Sequence, residues 1–246
     1  MTVLAIESSA LVAGIAIVSE EKVTAEYNVN LKLTHSQTLL PMLDEVVKMT
    51  GTDLSSIDAI AVSGGPGSFT GLRIGSATAK GLGLALKKPI VAVPTTQGLA
   101  MNIFGFDGLI CPIMDARRDQ VYTGIYRNNA EGFSVVSDQE ATGIKEIVEK
   151  LDSLGEKVIF LGDGVPVFRS VIEECAKEMA EGVVKATGSD FGVSATGYAG
   201  PDGDNVGLVY YAVNYKGKTV IKKLHSGYER NLIRESATMR ALFLVH

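Results

Sequence analysis

Ser63-Gly64-Gly65-Pro66-Gly67-Ser68-Phe69-Thr70-Gly71-Leu72-Arg73-Ile74-Gly75 decides how the rest of this 246-residue chain is read. Before it, the apolar run Ile57–Ser63 reads as a buried strand; after it, Gly71–Lys87 reads as a helix. A glycine-rich turn between strand and helix can aim backbone N–H groups at an anion, and the helix dipole adds to the attraction. Gly65, Gly67 and Ser68 would line such a loop. The spacing is not that of a Walker loop, because Leu72-Arg73 follows Gly71 where Lys-Ser/Thr is needed. It is not a dinucleotide fingerprint either, since Thr70 stands three places after Gly67. An anion loop and a plain structural turn both stay open.

The helix after the loop carries a second pattern. Gly71, Gly75, Ala79 and Gly83 recur at every fourth place, with Ala77, Gly81 and Ala85 in a parallel row. Each helical glycine costs about 1 kcal/mol relative to alanine, so several together imply a smooth face that another element approaches closely. That element is either part of the same lobe or a helix of another subunit.

On either side, β and α signals alternate. Val3–Glu7, Val12–Ser19 and Lys22–Asn30 read as strands, followed by a helix from Thr34 to Thr50 with Pro41 inside it and Gly51 as its stop. Thr34 with Gln37 predicts a capping box. Ile90–Val93 is a further strand. Leu109–Ala116, Gln120–Tyr126, Phe133–Val136, a helix at Thr142–Leu154, a strand Val158–Leu161 and a helix from Val165 repeat the order. Two consecutive β-β-β-α-β-α units predict an α/β fold of two ribonuclease H-like lobes, mixed sheets flanked by helices, on the plan of the actin-like superfamily. The hinge is expected near Phe104–Gly108, giving an N-terminal lobe over 1–104 and a C-terminal lobe over 105–246.

Composition excludes several classes. Net charge is −5 with a pI near 5.3, so no overall basic field draws the chain to RNA. The pairs Lys87-Lys88, Arg117-Arg118 and Lys222-Lys223 read as surface charge. Cys111 and Cys175 lie far apart in apolar runs, which suits small buried hydrophobes in a reducing cytoplasm. Met1–Glu7 reads as a strand rather than a signal peptide, and no apolar run approaches a membrane span of about 20 residues. His35, His225 and His246 are isolated, which predicts no metal site.

At its glycine signature the sequence resembles the TsaB (YeaZ) family of tRNA threonylcarbamoyladenosine biosynthesis proteins. Leu4-Ala5-Ile6-Glu7-Ser8-Ser9, His35-Ser36-Gln37 to Leu39-Leu40-Pro41, and Asp115-Ala116-Arg117-Arg118 with Val121-Tyr122 extend the likeness over residues 1–178. The resemblance implies a non-catalytic subunit, without cofactor or catalytic residue, that partners a TsaD-type catalytic subunit and a TsaE-type ATPase. Such a subunit would be a homodimer when alone and would meet tRNA only through the complex. In the catalytic relatives two histidines hold a metal; Thr95 and Leu99 stand at those places in this chain, and neither residue is a useful ligand. The resemblance puts the partner interface on the first lobe's two helices, at His35, Leu39, Met42, Leu72, Arg73, Gly75, Ser76, Ala79 and Gly83. Gly75→Arg or Ala79→Arg is therefore expected to break assembly and leave a folded monomer. Gly162-Asp163-Gly164 resembles a nucleotide-contacting turn of actin-like ATPases, with a plain turn as the alternative.

From Met179 the text changes. Phe191-Gly192-Val193-Ser194-Ala195-Thr196-Gly197 to Gly200-Pro201-Asp202-Gly203, continuing to residue 246, resembles the end of the CinA C-terminal domain, a nicotinamide mononucleotide amidase. The second lobe then divides into 105–178 and a CinA-like 179–246, whose strands Phe191–Thr196, Val206–Tyr215 and Lys218–His225 and helix 229–244 would complete its sheet. Tyr211, Val213 and Tyr215 alternate as in a half-buried strand. Ser194 and Thr196 are candidates for lining a nucleotide pocket. The Glu-Ser-Cys-Thr-Gly-Gly stretch that carries that family's serine is missing, so the amidase is the alternative reading with an incomplete site.

Overall fold

The computed structural model describes residues 1–31, 34–174, 177, 181, 185, 191–198, 208–215 and 218–225. The chain divides into two compact units, Met1–Gly98 and Leu99–His246.

In the first unit, β1 (Thr2–Glu7), β2 (Ala13–Ser19), β3 (Val23–Val29), β4 (Ala59–Gly65) and β5 (Ile90–Pro94) form one sheet in the order β3-β2-β1-β4-β5. β1–β2 and β2–β3 are antiparallel hairpin pairs, while β1–β4 and β4–β5 are parallel. Period-2 alternation sends Leu4, Ile6, Ile15, Ile17, Ile60 and Val62 to one face. There they meet Leu39, Met42, Leu43 and Val46 of α1 (His35–Thr50) and Ala79 of α2 (Phe69–Leu86). Burial of each such aliphatic side chain contributes about 1.5–3 kcal/mol.

Gly51 closes α1 in the left-handed conformation, φ 65°, as its sequence predicts. The expected capping box does not form: Thr34 makes no side-chain cap, and only its carbonyl accepts the Gln37 amide at 2.9 Å. Its hydroxyl accepts weakly from Ser36 Oγ at 3.4 Å instead. Neighbouring hydroxyls compete for the same short-range bonds, so a box motif does not compel the box.

In the second unit, seven strands run in the order β12-β11-β10-β9-β6-β7-β8. They are β6 (Leu109–Arg117), β7 (Gln120–Asn129), β8 (Gly132–Gly143), β9 (Val158–Leu161), β10 (Phe191–Tyr198), β11 (Leu208–Tyr215) and β12 (Lys218–His225). Read from β8 inward, β8-β7-β6-β9-β10 repeats β3-β2-β1-β4-β5, with the same two antiparallel and two parallel pairings. The fifth place is taken by a strand of the tail, and the β11–β12 hairpin extends the sheet beyond it. α4 (Ile144–Leu154) and the short α5 (Gly164–Val167) cover a core of Leu109, Cys111, Ile113, Val121, Ile125, Ile147, Leu151 and Phe160.

Three departures from the sequence reading have physical causes. β8 runs to Gly143, well beyond Val136, because the β7 ladder carries the polar residues Ser137–Thr142 along an exposed edge. β11 is flanked by strands on both sides, and Ala212, Val213 and Asn214 are all buried, so both of its faces are covered at those residues instead of alternating. A helix α3 (Thr95–Met101) follows β5 with no strong propensity behind it. Ala100 and Ile103, with Leu99, pack on Ile110, Tyr126 and Leu161, which is why the units divide after Gly98 rather than near Phe104. The expected helix 229–244 and Cys175 lie outside the described residues.

Cys111 is fully buried, and desolvation pushes its thiol up to about 12 although Thr123 Oγ1 lies 3.3 Å away. A maleimide at pH 8 is expected to leave Cys111 unlabelled in the native chain and to label it in denaturant, with peptide masses scoring the two cysteines separately. Native labelling at the rate of a free thiol would contradict this burial.

Candidate partner interface and glycine loop

The glycine signature is shaped by the turn that ends β1. Ser68 N–H donates to the Ser9 carbonyl at 2.6 Å, and Ser68 Oγ caps α2 by accepting from Gly71 N–H at 3.3 Å. A Cβ on Gly67 or Gly71 would lie deep inside contact with the Ser9 or Ser8 carbonyl oxygen, and one on Gly75 would meet Ser8 Oγ. Gly67 also has φ 155° and Gly65 φ 101°. Beneath the loop, Glu7 Oε1 accepts from Ser9 N–H (2.6 Å), Ser9 Oγ (2.5 Å) and Ser63 Oγ (3.1 Å), and Ala10 O lies 2.9 Å from His35 Nε2. The loop's Ser68 amide is therefore spent on a protein carbonyl, and close approach of two backbones accounts for Gly67, Gly71 and Gly75.

The two small rows of α2 face opposite ways. Gly71, Gly75, Ala79 and Gly83 are buried, lying over Ser8, Val62 and Ile90 of their own unit. Ala77, Gly81 and Ala85 are exposed, and a Cβ on Gly81 would meet nothing within 4 Å. Alongside them Phe69 is 70% and Leu84 83% exposed. Phe69, Leu72, Arg73, Ser76, Ala77 and Lys80 line a shallow groove of about 320 Å³, with the Arg73 guanidinium 4.1 Å above the Phe69 ring.

Of the residues expected at a partner surface, the structure brings Leu72, Arg73 and Ser76 together on this groove. It places His35, Leu39, Met42, Gly75, Ala79 and Gly83 in the interior of the first unit. This corrects the sequence assignment of those six to an outer face: a spacing of four marks a helix stripe but not which way it points. Phe69, Ala77 and Lys80 share that groove, and Gly81 and Leu84 are exposed on the same helix, though the sequence reading did not assign them to it. The signal that could have found them was Phe69 and Leu84 flanking the second small row.

In the second unit, Gly162 (φ 104°) and Gly164 let the turn after β9 lie on β6, where a Cβ at Gly164 would come within 2.9 Å of Ile113 O. Asp163 Oδ1 accepts the Asp115 amide at 3.3 Å. Burial pushes the Asp163 carboxyl above the ordinary carboxylate range; the neighbouring Asp115 charge adds to the rise, and amide hydrogen bonds oppose it. The β6–β7 turn holds Arg117 (φ 66°), Arg118 (φ 54°) and Asp119 (φ 60°) in the left-handed region, at about 1–2 kcal/mol for each residue other than glycine. Ser194 and Thr196 pair with Ala212 and Tyr210 across the β10–β11 ladder. Thr95 opens α3 with a buried hydroxyl that has no hydrogen-bond partner, and Leu99 packs on the Ala100–Ile103 cluster. Among the described residues, no group of three His, Cys, Asp or Glu side chains could hold a metal ion, and no helix is long and apolar enough to cross a membrane.

Residues 30–210 match the family described as TsaD, tRNA N6-adenosine threonylcarbamoyltransferase. The chain is also 41% identical over 175 residues to tRNA threonylcarbamoyladenosine biosynthesis protein TsaB of Bacillus subtilis (strain 168), covering 71% of this chain and 76% of that one. The chain belongs to the TsaB family. A solved structure of a TsaB-type protein, YeaZ from Pseudomonas aeruginosa, aligns with a TM-score of 0.57 at 26% identity over 68% of this chain and 78% of its own. This TsaB-family chain has a second kinship at its C-terminal end. It is 50% identical over 82 residues to a CinA-like protein of Kosmotoga olearia, a match spanning 32% of this chain and 20% of that protein.

Proposed function

We propose that this chain is the non-catalytic subunit of a complex that forms threonylcarbamoyladenosine beside the anticodon of tRNA, and that it docks a TsaD-type catalytic subunit. Its kinship with the B. subtilis TsaB protein over most of both chains carries the reading. The outward face of α2 supplies the surface: Phe69 and Leu84 expose apolar side chains near its two ends, and the small residues between them let a partner helix approach closely. In isolation the same face pairs with its own copy; a TsaE-type ATPase completes the assembly, and the complex works in the cytoplasm.

The non-catalytic role is supported by the chemistry at α3, where a threonine and a core-packed leucine stand in place of ligating histidines. The repeated strand order supports two ribonuclease H-like lobes of the actin-like plan, dividing after Gly98, the second completed by the CinA-like strands. An amidase is not favoured: the CinA-like match covers a fifth of that relative, and the serine stretch is missing. Ammonia release from nicotinamide mononucleotide tests that alternative, and reconstituted tRNA modification tests the main reading.

A further inference from the structure

We infer that the Arg117-Arg118 tip of the β6–β7 hairpin contacts the phosphodiester backbone of tRNA directly. The identity of the RNA rests on the function proposed above; the anionic contact rests on the hairpin itself, and it replaces the expectation that the chain meets tRNA only through other subunits. Among the described residues every other arginine is engaged: Arg73 lies over Phe69, Arg127 bridges Glu156, and Arg169 bridges Glu173. Arg117 and Arg118 are exposed, and among the described residues no carboxylate pairs with either guanidinium. Arg117 ends β6 and Arg118 opens the two-residue Arg118-Asp119 turn; all three lie in left-handed backbone, where such a turn favours Asn-Gly, so Arg118 is not there to make the turn.

The tip is anchored at both ends. Asp115 Oδ1 accepts the Arg117 amide at 2.8 Å, and the Asp119 carbonyl accepts the Ile144 amide at 3.1 Å where α4 begins. Asp115 and Asp163 thus hold the base of the turn, and Asp119 holds its far side, while Arg117 and Arg118 stay exposed. Fixing the backbone this way lowers the ordering cost when an anion arrives. Protein partners need an apolar centre, and no large apolar side chain is exposed between Phe104 and Val135. A planar guanidinium fork matches a phosphate, which it can grip in bidentate fashion.

The test is fluorescence anisotropy of labelled tRNA titrated with the full chain alone, across a range of salt. Arg117→Gln/Arg118→Gln is expected to weaken binding about 10-fold and to flatten the slope of log K against log salt by about 1–2, since each phosphate contact contributes about 0.7–0.9. Arg117→Lys/Arg118→Lys should restore most of the slope. Arg118→Asn/Asp119→Gly should raise Tm by about 2–4 °C, as expected for relief of roughly 1 kcal/mol in a chain of this size, and yet weaken binding. Undetectable binding by the wild-type chain at low salt would overturn the inference, as would unchanged affinity and slope in the glutamine variant. Loss of pairing with the catalytic subunit at unchanged tRNA affinity would also overturn it, by assigning the tip to an acidic protein surface. tRNA binding through the tip by a chain that leaves tRNA modification unaffected would sustain the inference and remove the function proposed above.

Discussion

Gly71→Ala is expected to destabilise the first unit by about 3 kcal/mol, at the upper end for an overpacked interior. The added methyl would enter the space of the Ser8 carbonyl oxygen and press His35 Cδ2, 3.2 Å away. A backbone oxygen cannot swing aside as a side chain does, so β1 and α2 must separate and strain the Glu7–Ser9–Ser63 hydrogen bonds. Gly81→Ala, one row over on the same helix, should instead stabilise by about 0.5–1 kcal/mol, because it meets open space and gains helix propensity. Urea unfolding of the two variants reads the difference. Equal effects would mean that the helix is rotated from the orientation described.

Ala77→Arg should abolish pairing with a TsaD-type subunit while leaving the chain folded. Ala77 is exposed on the groove between Arg73 and Lys80, so a third cation would be forced into a desolvated contact with no partner. That costs about 3 kcal/mol, roughly a hundredfold in affinity. Size-exclusion chromatography of the mixed subunits with circular dichroism of the variant checks both halves. Gly75→Arg, which the sequence suggested for this purpose, is unsuitable, since it would drive a side chain into Ser8 and unfold the unit. Undiminished pairing by Ala77→Arg would remove α2's outer face as the docking surface.

The order of strands and helices along the chain was legible because Leu4/Ile6, Ile15/Ile17 and Ile60/Val62 alternate with a period of two, and because the two halves repeat. The direction of the glycine row was not. Gly71 and Gly75 look the same in sequence whether they admit a neighbouring subunit or the Ser8 backbone, and only the tertiary path of the β1–β2 turn decides. α3 and the far half of β8 escaped for a related reason: each is held by neighbours rather than by its own propensity. The strain at Arg117–Asp119 likewise leaves no trace in composition, because it is a property of dihedral angles.

The central claim is that this chain does its work by being held by a catalytic partner. Threonylcarbamoylation of tRNA, reconstituted from an activated threonylcarbamoyl donor and purified TsaD-type and TsaE-type subunits with and without this chain, measures it directly. Modified adenosine is expected only when the chain and the TsaD-type subunit are both present, and none from the chain alone. Modification by this chain unaided, or full activity of the other subunits in its absence, would contradict it.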